Sequence, residues 1–158
     1  MKLKSSLLSL TCLTLMAFAM NAPANLGGGG EEPITDPLFN EAQRSVEGGD
    51  YKGGLAALQD LARGGLYHSD LFNLIGYAQR KLGDLDAAFA SYRKALGLNP
   101  AHKGAHEYIG EAYLTAGDLD SAERHLGELK RICSPVPCGE IRRLHDEIEA
   151  YKAKHASR

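Results

Sequence analysis

The sequence predicts an all-α protein, an α-solenoid in which three helical hairpins stack side by side and a C-terminal helix closes the stack. A glycine–aspartate pair recurs with a fixed period of 34 residues, at Gly49-Asp50, Gly83-Asp84 and Gly117-Asp118. Around each pair, apolar residues recur three or four positions apart, which is the spacing of one helix face. A period of this length is typical of repeat proteins, in which each unit buries its apolar face only against its neighbours.

The middle unit, residues 69–102, shows the pattern most clearly. The apolar face of its first helix is predicted to carry Phe72, Ile75, Gly76 and Gln79. Gly83 should end this helix, because glycine accepts the left-handed conformation of a C-cap. Asp84 should cap a second helix, whose buried face is Leu85, Ala88, Tyr92 and Ala95. Pro100 stops that helix because it lacks an amide hydrogen and disfavours helix at the preceding residue.

The flanking units, residues 35–68 and 103–136, follow the same scheme with different fidelity. The third unit keeps the bulky, glycine, alanine and leucine positions of its core face at His106, Ile109, Gly110, Tyr113, Gly117, Ala122 and Leu126. The first unit is degenerate. It has Ala42 where the others carry glycine, Gly54 where they carry alanine, and Leu66 where the middle unit has proline.

A final helix is predicted from Gly139 to about His155, within a closing segment of residues 137–158. Its apolar residues are three or four positions apart, at Ile141, Leu144, Ile148 and Tyr151. Its other face is charged, so it should cap the last unit with its apolar side inward and its charged side toward water. A dimerisation helix is the alternative interpretation.

Taken together, the repeats resemble the tetratricopeptide repeat (TPR) family. The middle unit matches the family pattern at Phe72, Ile75, Gly76, Gly83, Ala88, Tyr92, Ala95 and Pro100, and the resemblance spans roughly Thr35 to Ser134. It implies a short right-handed superhelix whose concave side is lined by the first helix of each unit. The family is one of protein- and peptide-binding scaffolds, and a protein or peptide partner in that groove is therefore expected.

The resemblance also implies which residues line the groove. The candidate partner-binding residues are Asn73, Tyr77, Arg80, Lys81, Glu107 and Glu111. Tyrosine and arginine dominate binding hot spots, which makes Tyr77 and Arg80 the anchors of this set. Glu107 and Glu111 should make the far wall acidic, so a basic or mixed-charge segment is the expected partner. The alternative is that these side chains are ordinary solvated charges.

The N-terminus carries the three parts of a secretory signal. Two lysines precede about 14 mostly apolar residues, a run shorter than the ~20 that a membrane-spanning helix needs, and Ala22-Pro23-Ala24 provides a cleavage motif. We therefore expect a signal peptide over residues 1–24, cleaved after Ala24 or alternatively after Ala19, and a protein exported to the periplasm with no membrane span. Residues 25–34, rich in glycine, should form a flexible linker.

Charge and cysteine content narrow the function classes further. Without residues 1–24 the chain has 16 Lys and Arg against 20 Asp and Glu, a formal charge of −4, which argues against a nucleic-acid partner. It also retains only Cys133 and Cys138, which flank a proline-rich turn. An even number of cysteines in an exported chain favours a disulfide. This bond would join the last repeat helix to the closing helix.

No catalytic constellation is apparent, so we expect no enzyme activity, no cofactor and no metal. His102 and His106 share a four-residue spacing, but His106 falls at a bulky core position and His102 in the preceding turn. The sequence thus predicts a non-catalytic exported adaptor. Two alternatives stay open: a thiol- or metal-handling protein that uses Cys133 and Cys138, and a self-assembly module that forms homo-oligomers.

Overall fold

The computed structural model describes residues 31–156, which form seven α-helices and no strand. The helices are α1 (Pro37–Glu47), α2 (Tyr51–Arg63), α3 (Ser69–Lys81), α4 (Leu85–Leu98), α5 (Lys103–Ala116), α6 (Leu119–Ile132) and α7 (Gly139–His155). The all-α prediction, with three hairpins and a closing helix, is confirmed. The predicted signal peptide and residues 25–30 of the predicted linker lie outside the described residues. Among residues 31–156, no helix has both the length and the apolar composition of a membrane span.

The helices pack as a row of hairpins. α1 packs against α2, α3 against α4, and α5 against α6. In addition, α3, α5 and α7 each pack against both helices of the hairpin that precedes them. As a result, α1, α3, α5 and α7 are successive neighbours along one side of the stack. This side therefore consists of first helices only, as the repeat pattern predicts.

The recurring glycine–aspartate pair makes the turn inside each hairpin. Gly49, Gly83 and Gly117 have φ angles of 91°, 87° and 84°, which only glycine adopts at low cost. The following aspartates cap the second helices through their carboxylates, which accept hydrogen bonds from the backbone amides of Gly53, Ala87 and Ser121 at 2.9, 3.1 and 2.9 Å. The 34-residue period is therefore the period of this turn.

Gly76 sets the close approach of α3 to α4. A Cβ atom added at Gly76 would lie 2.7 Å from Cε1 of Tyr92, whose ring is fully buried. The sequence pattern pairs Gly76 with Ala88, but the nearest side chain of α4 is that of Tyr92. Gly110 occupies the same position in the third unit, and its added Cβ would lie 2.7 Å from Cδ2 of Leu144 in α7.

The closing helix α7 covers the end of the third hairpin. Leu144 and Ile148 are 0% and 1% exposed, and Ile141 and Tyr151 are half-buried against the same cluster. These are the four residues of the predicted apolar face. In the segment between α6 and α7, the sulfur atoms of Cys133 and Cys138 lie at disulfide distance, and the Cα atoms of the two residues lie 5.6 Å apart.

Candidate functional site

A cavity of about 440 Å³ lies between α3, α5 and α7 on the first-helix side of the stack. We call it the α3–α5–α7 groove. The residues that line it are Arg80, Lys81, Glu111, Leu114, Thr115, Glu147, Ala150, Tyr151 and Lys154. Three of the six residues predicted from the sequence are therefore present: Arg80, Lys81 and Glu111.

Tyr77, a fourth predicted residue, lies at the centre of an aromatic cluster beside the groove. Its ring centroid is 4.9 Å from that of Tyr108 and 6.1 Å from that of Tyr51. The guanidinium of Arg80 and the ammonium of Lys81 lie 5.6 and 5.3 Å from the Tyr77 ring. Neighbouring rings on α2 and α5 hold Tyr77 in place, so it offers a preorganised surface with cations beside it.

Arg80 and Glu111 bind each other across α3 and α5. Nη2 of Arg80 donates to Oε2 of Glu111 at 2.5 Å, and the two side chains are only 12% and 21% exposed. Burial raises the pKa of Glu111, and the charge of Arg80 acts in the opposite direction. Beneath the pair lies the fully buried Tyr92, whose pKa is also raised by burial. Arg80 and Glu111 therefore neutralise each other and join two units.

Glu107 and Asn73 are buried, which the sequence did not anticipate. Glu107 is 2% exposed, and both of its carboxylate oxygens accept hydrogen bonds from Arg143 of α7, at 2.5 and 2.8 Å. Asn73 is 7% exposed and lies against Gly104 at the interface of α3 and α5. Since α7 packs over α5, Glu107 holds the closing helix and does not line the groove.

The groove contains residues of α7 that the sequence interpretation placed toward water. α7 begins at Gly139, 36 residues after the start of α5 at Lys103, so it is two residues out of the 34-residue register. Counted from Gly139, its fifth, ninth and twelfth residues are Arg143, Glu147 and Ala150. These positions correspond to Glu107, Glu111 and Leu114 in α5. A search for a fourth unit that tolerated a two-residue insertion would have found this correspondence.

The pairing changes the expected charge of the groove. With Glu111 paired to Arg80 and Glu107 paired to Arg143, the far wall is not acidic. The charged groove side chains outside these pairs are Lys81, Lys154 and Glu147, all of them exposed. The groove surface is thus of mixed charge with a small excess of cations.

The histidines of the repeats make contacts that support the fold. Nδ1 of His102 accepts the amide of Ala105 at the start of α5, and its Nε2 donates to Asp70 at 2.9 Å, which lowers the pKa of Asp70. His106 is 6% exposed; its Nε2 donates to the carbonyl of Pro100 at 3.0 Å, and its Nδ1 lies 2.9 Å from Nδ1 of His125. The predicted core position of His106 and turn position of His102 agree with these contacts.

The cysteine pair is the remaining candidate for chemistry. Cys133 is buried at the end of α6, and Cys138 immediately precedes α7. Within residues 31–156, no three His, Cys, Asp or Glu side chains are close enough together to hold a metal ion. Counting the free thiols of the purified protein before and after mild reduction would separate a structural bond from a readily cycling pair.

Comparison with solved structures finds the same fold in other helical proteins. The translocator chaperone SycD of Yersinia enterocolitica has a TM-score of 0.68 and 23% identity, over 82% of this chain and 97% of that one. PcrH, in complex with the chaperone binding region of PopD, has a TM-score of 0.65 and 21% identity, over 74% of this chain and 90% of that one. The first TPR of Spaghetti (RPAP3), bound to an HSP90 peptide, has a TM-score of 0.64 and 16% identity, over 75% of this chain and 90% of that one. At these identities the likeness establishes the fold.

Family comparison agrees with the internal repeats. Two tetratricopeptide repeat models match, one over residues 39–103 and the other over residues 79–132. No curated protein is significantly similar to the chain. The two matches together run from residue 39 to residue 132, which is more than half of the chain. This range coincides with the three hairpins of the structure, α1 to α6. The chain belongs to the tetratricopeptide repeat family.

Proposed function

We propose that the protein is a non-catalytic adaptor that binds a segment of a protein partner in the α3–α5–α7 groove. The observation that carries the proposal is the groove itself: an open cavity between three successive first helices, beside the preorganised Tyr77 ring. Two proteins of the same fold, PcrH and the first TPR of Spaghetti, were solved with peptide segments bound. His102 and His106 are engaged in fold contacts, which supports a binding role over a catalytic one.

The side chains of the groove indicate a partner of mixed charge. Lys81 and Lys154 can pair with acidic side chains, and Glu147 can pair with a basic one. The Tyr77 ring provides apolar contact area at a low cost in side-chain entropy. Ion pairs at such an exposed surface contribute mainly to association rate and selectivity, so the aromatic contact should contribute most to affinity.

We further propose that this adaptor acts after export to the periplasm. The proposal rests on the lysine-led apolar run of residues 1–24 and on the cysteine pair at the end of the repeats. N-terminal sequencing of the protein recovered from its host would test it. A mature chain that begins at Met1 would contradict cleavage.

Site-specific photo-crosslinking in the native host tests the groove assignment. A benzophenone amino acid at Thr115, which is exposed at the groove, should give an adduct with the partner. The same probe at Arg93, which is exposed on the second-helix side, should not. Lys81→Glu should reduce the adduct at Thr115 several-fold, whereas Arg93→Glu should leave it unchanged. Equal adducts at both positions, or adducts at Arg93 alone, would overturn the groove assignment.

Whether the protein forms a homo-oligomer stays a prediction, which a measurement of its mass in solution decides. Light scattering of the purified protein gives its mass in solution directly. If the mass is that of a dimer, and the probe at Thr115 crosslinks two copies of this chain, the groove binds a second copy, and the adaptor proposal fails.

A further inference from the structure

The stack has a second large concavity, at its first end and away from the α3–α5–α7 groove. It is a trough between α1 and α2 with a volume of about 890 Å³. Among residues 31–156, α3 is the only further helix that packs against this hairpin, and none of its residues lines the trough. The outward side of α1 and α2 is therefore uncovered by any described helix. We call it the α1–α2 trough.

The lining residues form two helical stripes. On α1 they are Leu38, Glu41, Ala42 and Ser45, at spacings of three, one and three. On α2 they are Gly53, Ala57, Asp60 and Leu61, again at helical spacing, and the C-cap Gly64 follows. Leu38 and Leu61 lie toward one end of the two stripes. Two such stripes on adjacent helices form a straight furrow into which a third helix fits, since helices pack with the ridges of one in the groove between its neighbours.

The apolar part of the trough is partly open to solvent. Leu38, at the edge of the trough, is 62% exposed. The next most exposed leucine of the described residues is Leu82, at 48%. Leu61 and Leu66 are only partly buried. Several partly exposed apolar side chains that line one concavity indicate an interaction site more often than an isolated exposed leucine does.

The rim of the trough is acidic. The charged residues that line it are Asp36, Glu41, Asp50 and Asp60, and no lysine or arginine is among the lining residues. Asp60 is paired with Arg63, whereas Glu41 makes no ion pair with another described residue. The negative rim favours an occupant with cations on its flanks. It disfavours two-fold pairing with a second copy, which would bring two acidic rims together.

We propose that the α1–α2 trough is a docking site for an amphipathic helix of a partner protein that carries a short apolar stripe with lysine or arginine on both flanks. The apolar stripe lies against Leu38, Ala57 and Leu61. The cations of one flank lie beside Glu41 of α1, and those of the other flank lie beside Asp60 of α2. The length of α2 allows an occupant of about three to four turns. Docking there extends the helical stack by one helix at its first end and leaves the α3–α5–α7 groove free. The protein then holds two partners, or two segments of one partner, at once.

A pair of synthetic peptides tests this proposal with the full chain. Both are about 16 residues long and share a leucine stripe at helical spacing; the flanking residues are lysines in one peptide and glutamates in the other. Fluorescence anisotropy should show at least about tenfold tighter binding of the lysine peptide, with an affinity that falls as salt is added. Equal binding of the two peptides would overturn the proposal.

Matched variants locate the binding. Leu38→Arg and Glu41→Lys should each weaken the lysine peptide about fivefold or more. Leu82→Arg is the control, since Leu82 is also an exposed leucine, at 48%, and lies outside the trough. Lys81→Glu in the α3–α5–α7 groove should leave the peptide affinity unweakened, which separates this proposal from the groove assignment. Equal weakening by Leu38→Arg and Leu82→Arg would contradict docking in the trough.

The same variants identify other occupants. A benzophenone amino acid at Ser45 should crosslink the lysine peptide. An adduct with residues 1–24 of the same chain would assign the trough to the chain's own N-terminal segment. A dimer that Leu38→Arg dissociates would assign it to a second copy. Either result would overturn the proposed partner.

Discussion

Single glycines control the distance between helices in this fold. Gly76 lies directly under the buried ring of Tyr92, and Gly110 under Leu144, so that neither position has room for a methyl group. Other helical glycines differ. At Gly97 and Gly127, no atom lies within 4 Å of an added Cβ. The repeat pattern marks Gly76 and Gly110 as core positions, and the structure shows which side chains pack against them.

Gly76→Ala should therefore lower the free energy of unfolding by about 1–3 kcal/mol, because the Tyr92 ring cannot move without disturbing a filled core. Gly97→Ala should be neutral or stabilising by up to about 1 kcal/mol, because alanine favours helix over glycine. Urea unfolding followed by circular dichroism measures both. Equal effects of the two substitutions would show that the α3–α4 contact is looser than the structure indicates.

His125 makes stability depend on pH. Burial, followed by the proximity of His106 and Arg124, lowers its pKa from 6.5 to about 4, and Glu128 acts in the opposite direction. Because the folded pKa lies below the unfolded one, the unfolded chain binds more protons between these values. Stability should be fully present above pH 6.5 and should decrease as the pH falls toward 4.

We expect this histidine to contribute on the order of 2 kcal/mol to that decrease, after allowance for its partial exposure. Thermal or urea unfolding at a series of pH values measures it. His125→Gln, which retains an amide donor near His106 but does not titrate, should flatten the profile above about pH 5, where carboxylates contribute least. An unchanged slope in this variant would assign the dependence to other groups.

At the scale of helices, α7 acts as the first helix of a fourth unit. It packs against α5 and α6 as α5 packs against α3 and α4, and Arg143 corresponds in position to Glu107. The Glu107–Arg143 pair joins the two helices where Glu107 is fully covered and Arg143 is half exposed. The closing helix thus has a polar attachment as well as an apolar one.

Arg143→Met should lower the free energy of unfolding by about 2–4 kcal/mol, because it leaves the Glu107 carboxylate buried without a cation. Glu107→Gln combined with Arg143→Met should recover part of this loss, since the buried charge is then gone. Arg142→Met, at an exposed neighbour with no ion pair among the described residues, is the control. Stability differences come from urea unfolding. Equal costs for Arg142→Met and Arg143→Met would contradict a specific role of the pair.

At the scale of the whole molecule, packing contacts among the seven described helices run only between neighbours in the row. α1 and α2 make no packing contact with α5, α6 or α7. A protein built this way resembles a one-dimensional array, whose stability is the sum of unit and interface terms. Damage at one end should therefore spread only over adjacent hairpins.

Val46→Ala, which truncates a 1%-exposed side chain in the first hairpin, tests this. Hydrogen exchange should accelerate in α1, α2 and α3 by an amount that corresponds to about 1–3 kcal/mol, and should change little in α5 to α7. Ile148→Ala in α7, at a residue that is also 1% exposed, should show the reverse distribution. A uniform acceleration in either variant would indicate that the stack unfolds as one cooperative unit.

The groove shows where sequence interpretation reached its limit. Tyr77, Arg80, Lys81 and Glu111 lie in or beside it, as the family resemblance implies, whereas Asn73 and Glu107 are buried. Glu107 does not line the groove because Arg143 of the closing helix, 36 residues further along the chain, donates hydrogen bonds to its carboxylate. The extra two residues around the Cys133–Cys138 turn concealed the register of that helix, and with it the contribution of Glu147 and Ala150.

By itself, the sequence determined the helices, their turns and their order. Helix period, glycine conformation and aspartate capping act within a few residues, so they can be recognised from local spacing alone. Only the tertiary structure decided which charges stay available to a partner, because ion pairs between α5 and α7, or between α3 and α5, join residues more than 30 positions apart. It also decided that no described helix covers the outward side of the first hairpin, since exposure depends on which helix packs next to it.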